Sequence, residues 1–427
     1  MREMKDSGIE WIGNIPEIWS LKPIRALFDE VTEKNFLGTC SNALKFTYGS
    51  IVRKPNFDAD ADDYVASTIL NYTVVEPGTI MLNGLNLNFD FVSQRIGLVK
   101  EKGVITSAYM AFKPNEKQLI DSEFATYLFK AYDGCKAFHN MGGGVRKILN
   151  FNEFKKYYIP LPDLNEQQHI VDFLDTQCSE IDATAEDIQK EIFLLEDYKK
   201  SVITEAVTKG LNPDAEMKDS GVKWLPKIPK HWKVIPSKYL FANSDIRRQT
   251  GDEQLTASQK YGIITQKDYT AKENAQVVLA TQGLEKWKHV EPNDFIISLR
   301  SFQGGLEMSE ITGCITWHYV VLKAQKKVYH KYYKWLFKSA RYINALQGTC
   351  NFIRDGQDLR FSNFALVPLF ELPLKEQQQI ADYLDTKCSE IDTLIADKKR
   401  QLDILADYKK SLIYEYVTGK KEVPVNE

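Results

Sequence analysis

Apolar positions along the chain follow two rhythms. In segment 166–208, Leu174, Ile181, Ile188, Leu195 and Val202 stand seven residues apart; in 376–418, Leu384, Ile391, Leu405 and Leu412 keep the same phase, with Lys398 interrupting it. A seven-residue period through chain free of Pro and Gly predicts two long helices with coiled-coil seams, each on the order of 60 Å at ~1.5 Å per residue. Pro162-Asp163 and Pro373 mark their starts, and Gly210 and Gly419 their ends. Elsewhere the rhythm shortens. Thr79-Ile80-Met81-Leu82, after the turn at Glu76-Pro77-Gly78, and Asp294 to Leu299, after Glu291-Pro292-Asn293, predict strands. Phe124, Tyr127, Leu128 and Ala131 mark one amphipathic helix, and Tyr332, Trp335, Leu336, Ser339, Ile343 and Leu346 its counterpart.

These patterns occur in the same order twice. Met4-Lys5-Asp6-Ser7-Gly8-Ile9-Glu10-Trp11, through Ile15-Pro16 to Trp19, returns as Met217-Lys218-Asp219-Ser220-Gly221-Val222-Lys223-Trp224, through Ile228-Pro229 to Trp232. Glu166-Gln167-Gln168, Leu174-Asp175-Thr176 and Cys178-Ser179-Glu180-Ile181-Asp182 return as Glu376-Gln377-Gln378, Leu384-Asp385-Thr386 and Cys388-Ser389-Glu390-Ile391-Asp392. Both copies close on Asp-Tyr-Lys-Lys-Ser, at 197–201 and 407–411. The four tryptophans of the opening blocks recur in frame and read as packing residues.

The duplication implies an α+β chain: two similar mixed α/β domains and two long helices that pair as an antiparallel coiled coil about a pseudo-two-fold axis. Linear divisions fall at 1–158, 159–210, 211–366 and 367–427. A globular domain separates the helices and lets the chain return antiparallel. The alternative is that each apolar stripe packs only on its own domain.

Composition refines this picture. The net charge is −3, but segments 166–208 and 376–418 carry −8 and −3, so the remainder carries +8, a balance suited to phosphate. Long surface helices are often acidic, so the charge permits a nucleic-acid partner without demanding one. No membrane span and no secretory signal is legible, and the six cysteines lack metal-type spacing, so a cytoplasmic chain with reduced thiols and no metal is expected.

The Trp-x-x-x-Ile-Pro-x-x-Trp openings, the Leu-Pro and Glu-Gln-Gln approach to a long helix, and the duplication of the whole unit resemble the specificity subunit of type I restriction-modification systems, from about residue 4 to residue 418. The resemblance implies two target recognition domains that read a bipartite, asymmetric site in double-stranded DNA. It implies an unread gap set by the helix pair. It further implies helices that dock two methyltransferase subunits, with restriction and translocase subunits completing the complex. The seam residues Leu174, Ile181, Ile188, Leu195, Leu384, Ile391, Leu405 and Leu412 lie on those partner-binding helices. S-adenosylmethionine, ATP and Mg are expected on the partners, and no cofactor on this chain.

Candidate DNA contacts follow from residue type and place. After each amphipathic helix comes a glycine-bearing loop with an arginine: Gly143, Gly144, Arg146 and Lys147 in one copy, Asn351 and Arg354 in the other. Glycine lets backbone N–H groups approach phosphate, and arginine can fork onto phosphate or guanine. A tight turn with a solvated arginine is the plainer reading. Asn83, Asn86, Asn88, Gln94 and Arg95, and Arg300, Gln303, Trp317 and His318, lie on or near loops beside predicted strands. Most are types that read adenine or guanine edges, and Trp317 can stack; for any one of them a structural or solvated role is the plainer reading. The pairs Arg53-Lys54 and Arg247-Arg248 suit nonspecific phosphate contacts or plain solvation.

Catalysis is not expected. No Pro-Pro pair exists for an adenine-methyltransferase motif, and Pro213-Asp214-Ala215-Glu216-Met217-Lys218 only superficially resembles a nuclease motif. Two other readings stay open: the recognition subunit of a related type IIB system, and a coiled-coil scaffold with two protein- or carbohydrate-binding domains.

Overall fold

The computed structural model describes residues 2–47, 49–55, 68–89, 94–144, 147–273, 280, 282–298, 305–349 and 359–424. The chain forms two compact units, Met1–Ile188 with Arg400–Glu427, and Gln189–Lys399. These units cut across the linear divisions. Each takes one mixed α/β domain together with part of both long helices.

In the first unit a four-stranded antiparallel sheet runs in the spatial order Phe28–Glu30, Met110–Pro114, Ile80–Leu82, Ile96–Leu98. Ile80, Leu82 and Phe112 face the main core with the helix Ser122–Gly134, whereas Met81 and Ala111 face a second cluster with Leu44, Val75, Val99 and Ile105. Both faces are covered, which is why this strand reads as an unbroken apolar run. The turn ahead of it closes from the N–H of Thr79 to the carbonyl of Glu76 at 3.0 Å, with Gly78 at φ 85°. Asp121 caps the helix by accepting from the N–H groups of Glu123 and Phe124 at 2.8 and 2.9 Å.

The second unit repeats the plan. Its sheet runs Phe241–Ser244, Val320–Ala324, Phe295–Ile297, Glu307–Met308, again with one face in the main core and Ile296 and Val321 in a satellite cluster. The matching turn uses Asn293 at φ 77° where the first copy has glycine, a conformation asparagine tolerates better than most residues. One expectation needs correction. The single amphipathic helix expected over 332–346 is two, His330–Lys338 and Ala340–Gln347, broken where Ser339 takes ψ 139° and turns its hydroxyl onto the carbonyl of Leu336 at 2.7 Å.

The long helices span Leu164–Lys209 and Leu374–Val417. Asp163 caps the first by accepting from the N–H of Glu166 at 2.9 Å; in the second, Pro373 stands in its place and only its carbonyl accepts, from Glu376 and Gln377. Within the first unit, Ile170, Val171, Leu174, Cys178 and Ile181 pack in one core with Leu412, Ile413, Tyr416 and Val417. Phe173 packs against Tyr416 with ring centres 4.5 Å apart and planes tilted by 39°, and Lys409 meets Asp182 at 2.6 Å. Numbers rise along one segment as they fall along the other, so the segments are antiparallel. Within the second unit, Val202, Ile203, Ala206 and Val207 share a core with Ile380, Ala381, Leu384 and Cys388. There Lys199 meets Asp392 at 2.6 Å and Lys398 meets Glu191 at 2.5 Å, the same antiparallel sense. Lys398, the interruption in the seam, is thus neutralised by an ion pair.

The seam residues therefore correct one assignment. Leu174, Ile181, Ile188, Leu384, Ile391 and Leu412 are buried, and Leu195 and Leu405 half-buried. Buried or half-buried, they offer little surface to another chain.

The repeated blocks now have reasons to recur. Glu166 accepts from the indole N–H of Trp19 at 2.8 Å, and Glu376 from Trp232 at 3.0 Å. Gln167 and Gln377, both buried, accept from the N–H of Asp121 and Tyr329, the residues just ahead of each domain helix. Asp175 takes a hydrogen bond from the Tyr127 hydroxyl at 2.6 Å, and Asp385 one from the Trp335 indole at 2.9 Å. Burial, reinforced by that bond, pushes the Tyr127 hydroxyl pKa up, which keeps it a donor.

Three outcomes are expected. Gly419 sits at φ 71°, where an added Cβ would fall 2.4 Å from Pro16 Cδ and 3.0 Å from Trp19; Gly8, at φ 67°, has open space. Gly8→Ala should cost about 1 kcal/mol through its backbone alone, and Gly419→Ala a further 1–3 or so, read by urea denaturation. Leu174→Ala should cost about 2–5 kcal/mol. A double-mutant cycle on Asp182 and Lys409, whose carboxylate is mostly exposed, should return a coupling below about 1 kcal/mol.

Candidate functional site

Two polar loops of the first unit, far apart in sequence, are joined by their backbones. The N–H of Leu149 donates to the carbonyl of Gly84 at 2.9 Å, and the N–H of Leu87 to that of Lys147 at 3.1 Å. Gly84 permits the approach, since a Cβ there would lie 2.3 Å from the Leu149 carbonyl oxygen. The joined loops bring Asn83, Asn86, Asn88, Gly143, Gly144 and Lys147 together. Asn86, Asn88, Gly143 and Gly144 are exposed, and Asn83 and Lys147 half-buried. Asn86 and Lys147 hold φ of 51° and 41°, and Gly144 75°. The Lys147 ammonium donates to the carbonyl of His139 at 3.2 Å. Arg146 lies outside the described residues.

Arg95 does not lie on the exposed surface of the loop. It is buried, and its guanidinium donates from Nη1 to the carbonyls of Asn83 at 2.8 Å and Leu85 at 2.7 Å, and from Nη2 to that of Asn86 at 3.3 Å. Its own N–H donates to Asp133 Oδ2 at 2.7 Å, tying the loop to the domain helix. The residue type that promised guanine recognition holds the loop from beneath.

The other first-unit candidates lie elsewhere. Gln94 is exposed and lines a cleft of about 920 Å³ shared with Gly49, Tyr127, Asp175, Asp182 and Lys409. Arg53 ends the hairpin strand Ser50–Arg53, with Nε donating to Asn42 Oδ1 at 2.8 Å, and Lys54 follows it, exposed.

In the second unit Trp317 and His318 occupy the turn between Gly313–Ile315 and Val320–Ala324. Both are exposed, and their rings stack 3.6 Å apart at 28°, presenting a ready aromatic face. Arg247 and Arg248 are exposed on a loop fastened from below. Arg247 donates to the Lys286 carbonyl at 2.8 Å, while buried Asp252 accepts from the N–H of Gln249 at 2.7 Å and pairs with His289 Nδ1 at 2.9 Å. Arg300, Gln303, Asn351 and Arg354 lie outside the described residues.

Sequence reasoning missed a second class of surface. Leu194 and Tyr198 in the second unit, and Ile404 and Tyr408 in the first, are each more than half exposed and one turn apart on the long helices. They occupy equivalent places in the two copies. The signal was present: both tyrosines sit within the repeated Asp-Tyr-Lys-Lys-Ser, out of phase with the seam.

Among the described residues no group of three or more His, Cys, Asp or Glu is arranged to hold a metal, and no helix is long and apolar enough to cross a membrane.

Comparison with known proteins agrees with this architecture. Residues 22–193 match the model of the type I restriction modification DNA specificity domain. The putative type I restriction enzyme MjaX specificity subunit of Methanocaldococcus jannaschii is 22% identical over 433 residues, 96% of each chain. The MjaVIII specificity subunit of the same organism is 24% identical over 225 residues, 52% of this chain and 49% of that one. Among solved structures, a chain from work on assembly and conformational transition of the type I R-M system gives a TM-score of 0.69 at 13% identity, covering 95% of this chain and 99% of that one. The HsdS subunit from Thermoanaerobacter tengcongensis gives 0.51 at 14%, covering 95% and 98%. The structural likenesses speak to the fold, the sequence matches to the family. Duplicated domains and paired helices agree with these matches: residues 22–193 resemble a type I restriction modification DNA specificity domain, and nearly the whole chain is similar to a putative type I restriction enzyme specificity subunit.

Proposed function

We propose that this chain confers DNA sequence on a type I restriction-modification complex, each unit reading one half of a bipartite, asymmetric target in double-stranded DNA. One observation carries the reading. The two units share a sheet plan and a set of buried anchoring bonds, yet their exposed loops are chemically different, with Asn86, Asn88 and Lys147 on one and Trp317, His318, Arg247 and Arg248 on the other. Identical heads would favour a palindrome; different heads favour two different half-sites.

The joined loops of the first unit offer carboxamides for base edges, with glycine N–H groups and Lys147 for phosphate. Trp317 and His318 offer stacking, and Arg53, Lys54, Arg247 and Arg248 nonspecific charge. The chain works as an adaptor. Methylation of adenine with S-adenosylmethionine, and ATP- and Mg-dependent translocation and cleavage, belong to the partner subunits, and the cytoplasm is where they meet DNA. The exposed pairs Leu194-Tyr198 and Ile404-Tyr408 fit docking of two copies of a methyltransferase, because equivalent surfaces can take identical partners.

Co-expression with the neighbouring methyltransferase should yield genomic adenine methylation at one split motif; methylation without such a motif would remove the reading. Exchanging residues 20–158 for the matching domain of a relative should change one half-site and leave the other. DNA affinity should fall steeply with salt, by about a thousandfold between 50 and 200 mM if roughly six phosphates are contacted. Leu194→Glu or Ile404→Glu alone should lower methyltransferase stoichiometry from two to one in native mass spectrometry, and the pair together to none.

A further inference from the structure

Arg95 stands at a register position where the two units differ in kind. Leu98 pairs with Ile80 in the first unit, as Met308 pairs with Phe295 in the second, so counting back along each strand sets Arg95 against Gly305. Gly305 holds φ 78°, and a Cβ there would lie 2.1 Å from the Phe337 carbonyl oxygen, so the second unit has no room for any side chain. The first unit instead buries a guanidinium there and spends it on the carbonyls of Asn83, Leu85 and Asn86.

Three carbonyls converging on one buried cation fix a loop more firmly than a turn does alone, because each bond to a charged donor is stronger than a neutral one and leaving any of them unmade is costly. The loop they fix is the one that carries exposed Asn86, itself held at φ 51°, and leads to exposed Asn88. Sequence reading by a carboxamide depends on its direction, and that direction follows from the backbone bearing it.

We propose that Arg95 is a positioning residue for the half-site read by the first unit: without touching DNA it sets the geometry of the loop 83–88, and so the base selectivity of that head alone. This rests on the DNA-reading function proposed above. Arg95 belongs to what differs between the heads, unlike the Trp-Glu and Gln anchors they share.

The test uses the full complex with its methyltransferase and compares wild type, Arg95→Lys and Arg95→Met. DNA duplexes are substituted at each position of either half-site, and discrimination is read as the ratio of methylation rates, with the melting temperature measured alongside. Arg95→Met should lower discrimination at the first unit's half-site at least tenfold and leave the other half-site within twofold. Arg95→Lys, which keeps the charge but one donor head, should fall between. Unchanged discrimination in a folded Arg95→Lys complex overturns the proposal, even if Arg95→Met fails to fold. Equal loss at both half-sites also overturns it, as the mark of a merely structural role. If wild type itself shows no split target, the function is wrong rather than this inference.

Discussion

Everything in this fold depends on an apolar seam that neither repeat can close alone. A long helix with a seven-residue stripe must bury that stripe, and its own domain covers only the start of it. The two compact units show the solution. The first unit ends its core with Leu412, Ile413, Tyr416 and Val417 from the second helix, and the second unit builds its core on Val202, Ile203, Ala206 and Val207 from the first. Each unit therefore contains chain from both repeats. Burial at roughly 25 cal/mol per Å² makes this seam the main source of stability there, while the ion pairs beside it, partly exposed, serve register more than energy.

The recurrence of short polar motifs follows from that exchange. Asp182 is met by Lys409 and Asp392 by Lys199, so the aspartate closing Cys-Ser-Glu-Ile-Asp in each copy is answered by the lysine of Asp-Tyr-Lys-Lys-Ser in the other. A change at one motif would leave its partner unanswered in the other copy. Glu166 with Trp19, and Glu376 with Trp232, likewise bind each helix start to its own opening block. The repeats are similar where they must interlock and free to differ where they face solvent.

Much of this was legible in the sequence. Period and repetition disclosed the helices, their caps and their antiparallel pairing, because a seam leaves the same mark whatever surrounds it. The strands showed as apolar runs because both faces of the sheet are covered. The break at Ser339 was not legible, since the apolar spacing continues across it while the backbone turns on a single ψ. The candidate site was less legible still. Residue type placed Arg95 on the reading surface, but burial and three carbonyl partners put it underneath, and nothing local in the sequence distinguishes an arginine facing solvent from one facing in. Nor could spacing reveal that loop 83–88 is joined to Lys147 and Leu149, a contact that depends on Gly84 having no side chain.

The division between shared scaffold and private loop support has a physical consequence. Anchors such as Gln167 and Gln377 are buried and hydrogen-bonded through both amide oxygen and amide nitrogen, so altering them would leave polar groups unmet in the core. The device beneath the loops is different in each head: a guanidinium clasp in one, a glycine pressed against a carbonyl in the other. A loop carried on its own support can be remade together with that support while the seam and its anchors stay intact. The two units can then diverge in their exposed chemistry without any change in how they are held.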